Sequence, residues 1–122
     1  MIILLLLLNI CHWVADYTQA STPWMLKAKR TGAPVLPIAA HAAVHALLMG
    51  TVCYFVAGPM VAALCFVIQW TSHLLIDILK GRCNVWKPSL SNPANVYHWW
   101  VFGADQFLHQ SVIILIAALA TP

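Results

Sequence analysis

Four apolar runs, each about as long as a bilayer is thick, fix what this chain can fold into. The first starts at Met1 and continues through Leu4, Leu8 and Val14 until Ser21, Thr22 and Pro23 break it. The second follows Pro34 and Pro37, whose fixed φ suits the first turn of a helix, and reaches Ala57. After a tight turn at Gly58-Pro59, the third extends from Met60 to Lys80 and is expected to stop at Gly81. Asn84, Pro88, Asn92, Pro93 and Asn95 then mark a loop, and the fourth run covers Tyr97 to Ala120. A transmembrane helix takes about 20 residues, so helices over about 2–22, 34–57, 60–80 and 97–120 make the 122 residues one transmembrane domain. The first run has no Lys or Arg before it and no small-x-small cleavage site after it, so a retained helix is expected rather than a cleaved signal peptide.

Charge gives the direction. All six Lys and Arg fall in two places: Lys27, Lys29 and Arg30 between runs one and two, and Lys80, Arg82 and Lys87 after run three. By the positive-inside rule both basic loops are cytoplasmic, which puts both termini and the Gly58-Pro59 turn outside. The expected fold is therefore all-α, an integral membrane four-helix bundle with both termini on the outer (periplasmic) side. Trp24, Trp86, Trp99 and Trp100 lie near the cytoplasmic ends, as an interfacial belt would. Only 7% of residues are charged, against about a quarter in soluble domains, and six bases are too few for a phosphate-binding footprint. A soluble domain and a nucleic-acid partner are thereby excluded.

Against that apolar background the acids stand out. There are three, all Asp, and each has a His four residues away: His12 and Asp16, His73 and Asp77, Asp105 and His109. His41 and His45 repeat the spacing. With six His in 122 positions, an Asp meets one at that distance on either side in about a tenth of cases, so three of three is about one in a thousand by chance. Residues four apart share a helix face, and counting from the cytoplasmic ends puts all four pairs in one layer of the cytoplasmic half.

An ionised Asp at mid-span costs about 2.5–3.5 kcal/mol, so three would cost about 8–10 kcal/mol uncompensated. A divalent cation is the leading answer, because it neutralises charge and takes up several lone pairs together. A metal-free Asp–His network or proton path, and haem held by two His, are the alternatives. Imidazole and carboxylate without thiolate favour zinc, with iron or manganese next. Eight candidate ligands, His12, Asp16, His41, His45, His73, Asp77, Asp105 and His109, exceed what one tetrahedral ion needs. Either two ions share the layer, or one is held while others support it, with Asp16 or Asp105 free as general base. Gln19, Gln69, Lys80 and His98 are candidate substrate-binding residues. Gln19 and Gln69 extend the stripes of His12 and His73, Lys80 stands at the mouth for an anionic headgroup, and His98 precedes Asp105 by seven. Interhelical hydrogen bonding, topology signalling and an interfacial His are the competing readings. Cys11, Cys53, Cys65 and Cys83 show no paired spacing and read as small packing residues.

His12-x-x-x-Asp16, the Trp24-Met25 to Lys29-Arg30 loop, His41-x-x-x-His45, His73-x-x-x-Asp77-x-x-Lys80 and Asp105-Gln106-x-x-His109 together resemble a family. It is the domain of unknown function 3307, small integral membrane proteins of bacteria and their phages, and the likeness covers nearly the whole chain. The His/Asp pattern is also similar to that of metal-dependent hydrolases of the bacterial inner membrane. These resemblances imply a multi-pass inner-membrane protein. The second also implies a hydrolytic role, and the eight-group layer at headgroup depth makes a lipid or lipid-linked ester or phosphoester at the cytoplasmic leaflet the expected substrate. The other classes are a non-enzymatic phage or bacterial membrane factor with a structural metal or polar core, and a transporter of protons or metal ions. Membrane lipid is the expected partner, and four short helices enclose so small a core that a homo-oligomer is also expected.

Overall fold

A computed structural model of the chain describes residues 1–121. Among these it is wholly helical, with α1 (Ile2–Tyr17), α2 (Pro23–Lys29), α3 (Val35–Ala57), α4 (Pro59–Trp86) and α5 (Val96–Leu119), and a 3-10 turn at Pro88–Ser91 before α5. The helices α3, α4 and α5 are long and apolar enough to cross a membrane, whereas α1, also apolar, has 16 residues.

Three boundaries differ from the sequence expectation, each for a local reason. The first helix ends at Tyr17, not near residue 22, because hydroxyl side chains take over its last carbonyls. Thr18 Oγ1 donates to the Val14 carbonyl at 2.5 Å and accepts the Ala20 N–H at 3.3 Å, and Ser21 Oγ donates to the Ala15 carbonyl at 2.7 Å. The basic loop contains α2, which starts where Thr22 caps it by accepting the Met25 N–H and Pro23 occupies the first turn. Finally, α4 does not stop at Gly81 but runs through it to Trp86. Gly81 serves a close approach instead: a Cβ there would collide with the backbone of Gly32, the residue that turns the chain out of α2 with φ +68°. Gly32 in turn lies so near α4 that its own Cβ would meet the Ile78 carbonyl at 2.6 Å. The two glycines thus press the end of α2 onto α4.

The turn at Gly58 (φ +84°), followed by Pro59, makes α3 and α4 the most extensive helix pair. Next to it α5 packs on α4, α1 rests against α3 and α5, and α2 against α3 and α4. Both chain ends lie together, with the Thr121 hydroxyl 3.7 Å from Met1 Sδ. The interior has two halves. The half near the termini is apolar, built from Leu4, Leu8, Met49, Cys53, Cys65, Ile113, Ile116 and their neighbours. Cys53 and Cys65 are buried there as free thiols, in keeping with packing. The other half holds the buried polar side chains His12, His41, His45, Gln69, His73, Asp77, Asp105 and His109. Meanwhile large apolar side chains such as Ile3, Phe55, Met60, Leu75 and Phe107 stand more than half exposed. Polar groups inside and apolar groups outside invert the soluble pattern, as a lipid-facing surface requires. In lipid, close packing rather than water exclusion joins the helices, which suits the buried Ala42 and Ala46 of α3 and the approach of Gly50 to Ala62 and Phe66 of α4.

Candidate metal centre

Each long helix and α1 supply one pair of groups at four-residue spacing. On α1, His12 Nε2 lies 3.4 Å from Asp16 Oδ2; on α4, His73 Nε2 lies 3.4 Å from Asp77 Oδ2; on α5, His109 Nε2 lies 3.6 Å from Asp105 Oδ1. The His41 and His45 rings of α3 are 4.8 Å apart between centroids. The pairs then meet across helices. Asp16 Oδ1 stands 3.0 Å from His41 Nε2 and 3.4 Å from His45 Nε2. Asp77 stands 3.7 Å from both His41 and His109, and the His45 and His73 rings approach to 3.7 Å between centroids. All eight candidate ligands read from the sequence are therefore gathered into one buried cluster.

Two sets within it have ligand atoms close enough to share one ion: Asp16, His41, His45 and His73, and His73, Asp77 and His109, with His73 common to both. Nitrogen and oxygen ligands at about 2.0–2.1 Å around a tetrahedral zinc lie about 3.3–3.4 Å from one another. Within the sets the Asp–His separations of 3.0 to 3.7 Å bracket that value, and all the ligand atoms of a set lie within 4.8 Å of one another. The donor set fits a metal ion for a second reason, since buried polar atoms are nearly always paired and here several are not. Both nitrogens of His12 and of His45, together with His73 Nε2 and Asp105 Oδ1, have no hydrogen-bond partner among the described residues.

Sequence reasoning treated Lys29 as a topology marker, and the fold makes it part of the site. From the end of α2 its Nζ lies 2.9 Å from Asp16 Oδ1, 2.9 Å from His41 Nε2 and 3.2 Å from Asp77 Oδ2. Burial works against the Lys29 ammonium, but Asp77 and Asp16 outweigh it and raise its pKa, so it is charged. Ser21 is the other unforeseen member. Its single proton goes to the Ala15 carbonyl, so Oγ accepts Nδ1–H of His41 at 3.1 Å, which turns His41 Nε2 toward the cluster. There Nε2 lies 3.0 Å from Asp16 Oδ1 and 2.9 Å from Lys29 Nζ, within hydrogen-bond reach of both.

The remaining candidates separate. Gln69 is buried one turn from His73, with Nε2 3.4 Å from its Nδ1, and borders the cluster. Lys80 Nζ pairs with Asp105 Oδ2 at 2.7 Å and sits 5.0 Å over the Phe102 ring. Gln19 is exposed in the segment after α1, outside the cluster, because the helix that would have carried its stripe has already ended. His98 is turned away from the cluster: its Nδ1–H donates to the Leu90 carbonyl at 2.6 Å, tying the 3-10 turn to α5. Gln106, which sequence reasoning left without a role, donates to Asp105 Oδ2 at 3.1 Å.

The family described as protein of unknown function DUF3307 matches residues 2–122. The chain belongs to that family. No curated protein and no solved structure matches it. For this DUF3307 chain, any account of function therefore starts from the cluster itself.

Proposed function

We propose that the protein is a multi-pass protein of the bacterial inner membrane. In this reading α1, α3, α4 and α5 form a four-helix bundle with both termini on the outer side, and the His/Asp cluster holds one or two divalent ions, zinc foremost. The reaction is hydrolysis of an ester or phosphoester in a lipid or lipid-linked substrate at the cytoplasmic leaflet. The observation that carries this reading is the convergence of eight ligand groups, several with unpaired buried atoms, behind an apolar exterior.

Asp16, His41, His45 and His73 would hold one ion, or His73, Asp77 and His109 would; His73 is common to both sets and offers one ring nitrogen, so with two ions present it would serve only one of them. Such an ion would supply charge stabilisation and Lewis acidity toward water. Asp105 belongs to neither set and is the carboxylate left to accept a proton. Lys80 and Gln106 fix its Oδ2, which orients the unpaired Oδ1. Ser21 positions His41, and Gln69 steadies His73 from behind.

Metal analysis of protein purified in mild detergent without chelator tests the reading. One to two equivalents of a transition metal are expected, and less than about one equivalent of any metal refutes it. One observation favours a second reading, a non-enzymatic membrane factor with a metal-free polar core: Lys29 already bridges Asp16, His41 and Asp77. In that case the metal-free protein would be as stable as any preparation with metal added.

A further inference from the structure

A cleft of about 400 Å3 opens sideways between α1 and α5. Its wall on α1 is a single helical stripe in which Leu6, Ile10 and Trp13 are each more than half exposed. Three carboxamides line the same cleft, Asn9 on α1 and Gln106 and Gln110 one turn apart on α5. Amides facing lipid are disfavoured unless something pairs with them. Asn9 spends one N–H on the Leu5 carbonyl at 2.8 Å, and Gln106 one on Asp105, so further donors and acceptors remain for an occupant.

A second space adjoins the cleft. This chamber of about 160 Å3 lies among Asp16, Lys29, Lys80, Asp105 and His109, and Tyr17 and Gln106 line both spaces. Side by side the two run from an apolar side face, past amides, to two ammonium groups and the cluster. From Leu6 to Tyr17 it rises about 16 Å along α1, the scale of an acyl chain.

We infer that the α1/α5 cleft is a lateral binding site for a phosphate-headed membrane lipid, with its acyl chain along Leu6, Ile10 and Trp13 and its phosphate in the chamber at Lys80. The three amides pair with the polar linkage between chain and phosphate. This deepens the hydrolase reading by naming its substrate class, and it rests on that reading for the chemistry but not for the binding. Lys80 favours the phosphate: at the chamber wall its Nζ gives one N–H to Asp105 Oδ2 and, with 29% of the side chain exposed, keeps two N–H groups for phosphate oxygens.

The test reconstitutes the unmodified protein into phosphatidylcholine vesicles containing phosphatidic acid with a diazirine on its acyl chain, followed by photolysis and peptide mapping. Adducts are expected to concentrate on the Leu6 to Trp13 stretch and around Gln110, at least about three-fold above the exposed α3 face at Tyr54 and Phe55. Equal labelling of all exposed faces would mean only annular lipid and overturns the site. A diazirine diacylglycerol that labels the cleft as strongly as phosphatidic acid overturns the phosphate assignment. Asn9→Trp, which fills the cleft, should lower the phosphatidic acid adduct about five-fold with metal content unchanged. Undiminished labelling of that variant also counts against the site, and if it fails to fold the map of the unmodified protein decides alone. Metal content of the same sample separates the two ideas: selective labelling of a metal-free protein ends the hydrolase reading and keeps the lipid site, whereas even labelling of a metalloprotein does the reverse.

Discussion

Replacing Lys29 by Met asks directly whether its ammonium stands where a metal ion would. In the structure Nζ is held between Asp16, His41 and Asp77 at 2.9 to 3.2 Å, with the Lys29 side chain 19% exposed and the two carboxylates 9% and 2%. Removing one partner from a buried charge pair costs about 3–5 kcal/mol, because the charge left behind is neither paired nor solvated. Metal-free K29M protein should lose that much. With metal present the same acceptors are satisfied by the ion, so the loss should shrink to about 1 kcal/mol, the stem packing of the side chain. By linkage, the roughly 2–4 kcal/mol that separates the two states must return as tighter metal binding, about 30- to 900-fold. Denaturant unfolding in detergent with and without chelator measures the first quantity, and competition with a chromophoric chelator the second. Equal destabilisation in both states, together with unchanged metal affinity, would refute the idea that Lys29 and the metal share one position.

Three further outcomes follow from the same geometry. His73 belongs to both ligand sets, so His73→Ala should reduce bound metal to less than half an equivalent by elemental analysis, roughly a loss of both sites, while His98→Ala should leave metal content unchanged and cost about 1 kcal/mol of stability through its lost bond to Leu90. Gly81→Ala inserts a methyl into the Gly32 backbone and must push α2 off α4; a destabilisation of about 1–3 kcal/mol and a metal affinity shifted in the direction of K29M are expected, and a neutral result would show that α2 is not held there. Metal bound in the cluster stabilises the fold that holds it, so metal added to metal-free protein should raise its unfolding midpoint in detergent, and an unchanged midpoint would show that the ion binds outside the cluster.

The His/Asp layer was legible because a four-residue spacing fixes a helix face whatever the neighbours do. His12 with Asp16, His73 with Asp77 and Asp105 with His109 needed only the assumption of helices, and the equal depths did the rest. Gln19 fails for the converse reason: its link to His12 assumed helix through residue 19, but the hydroxyls of Thr18 and Ser21 end α1 first. His98 keeps its helical register with Asp105, yet the Leu90 carbonyl pulls its ring toward the 3-10 turn, a tertiary contact that no spacing announces. Lys29 was hidden most completely. Its reach into the cluster depends on α2 folding under α4, and that depends on two glycines, Gly32 and Gly81, which are 49 residues apart in sequence and read separately as a loop and a helix stop. The one local clue was Thr22-Pro23, a cap and first-turn pair that marks a helix inside the basic loop.

Charge balance in the buried half connects these observations. Three carboxylates face two ammonium groups, Lys29 and Lys80, which leaves one negative charge in a largely buried region. Such an excess persists only if another cation joins, either a proton on an imidazole or a metal ion among several. Ser21 turns His41 Nε2 toward Asp16 and Lys29. Lys29 reaches them from a helix outside the ring of long helices, where a change in the placement of α2 alone would withdraw it. On the proposed reading a polar core held by Lys29 and a metal centre would be two occupancies of one set of residues, and K29M distinguishes them, because an ion that must displace the Lys29 ammonium should bind more tightly to the variant.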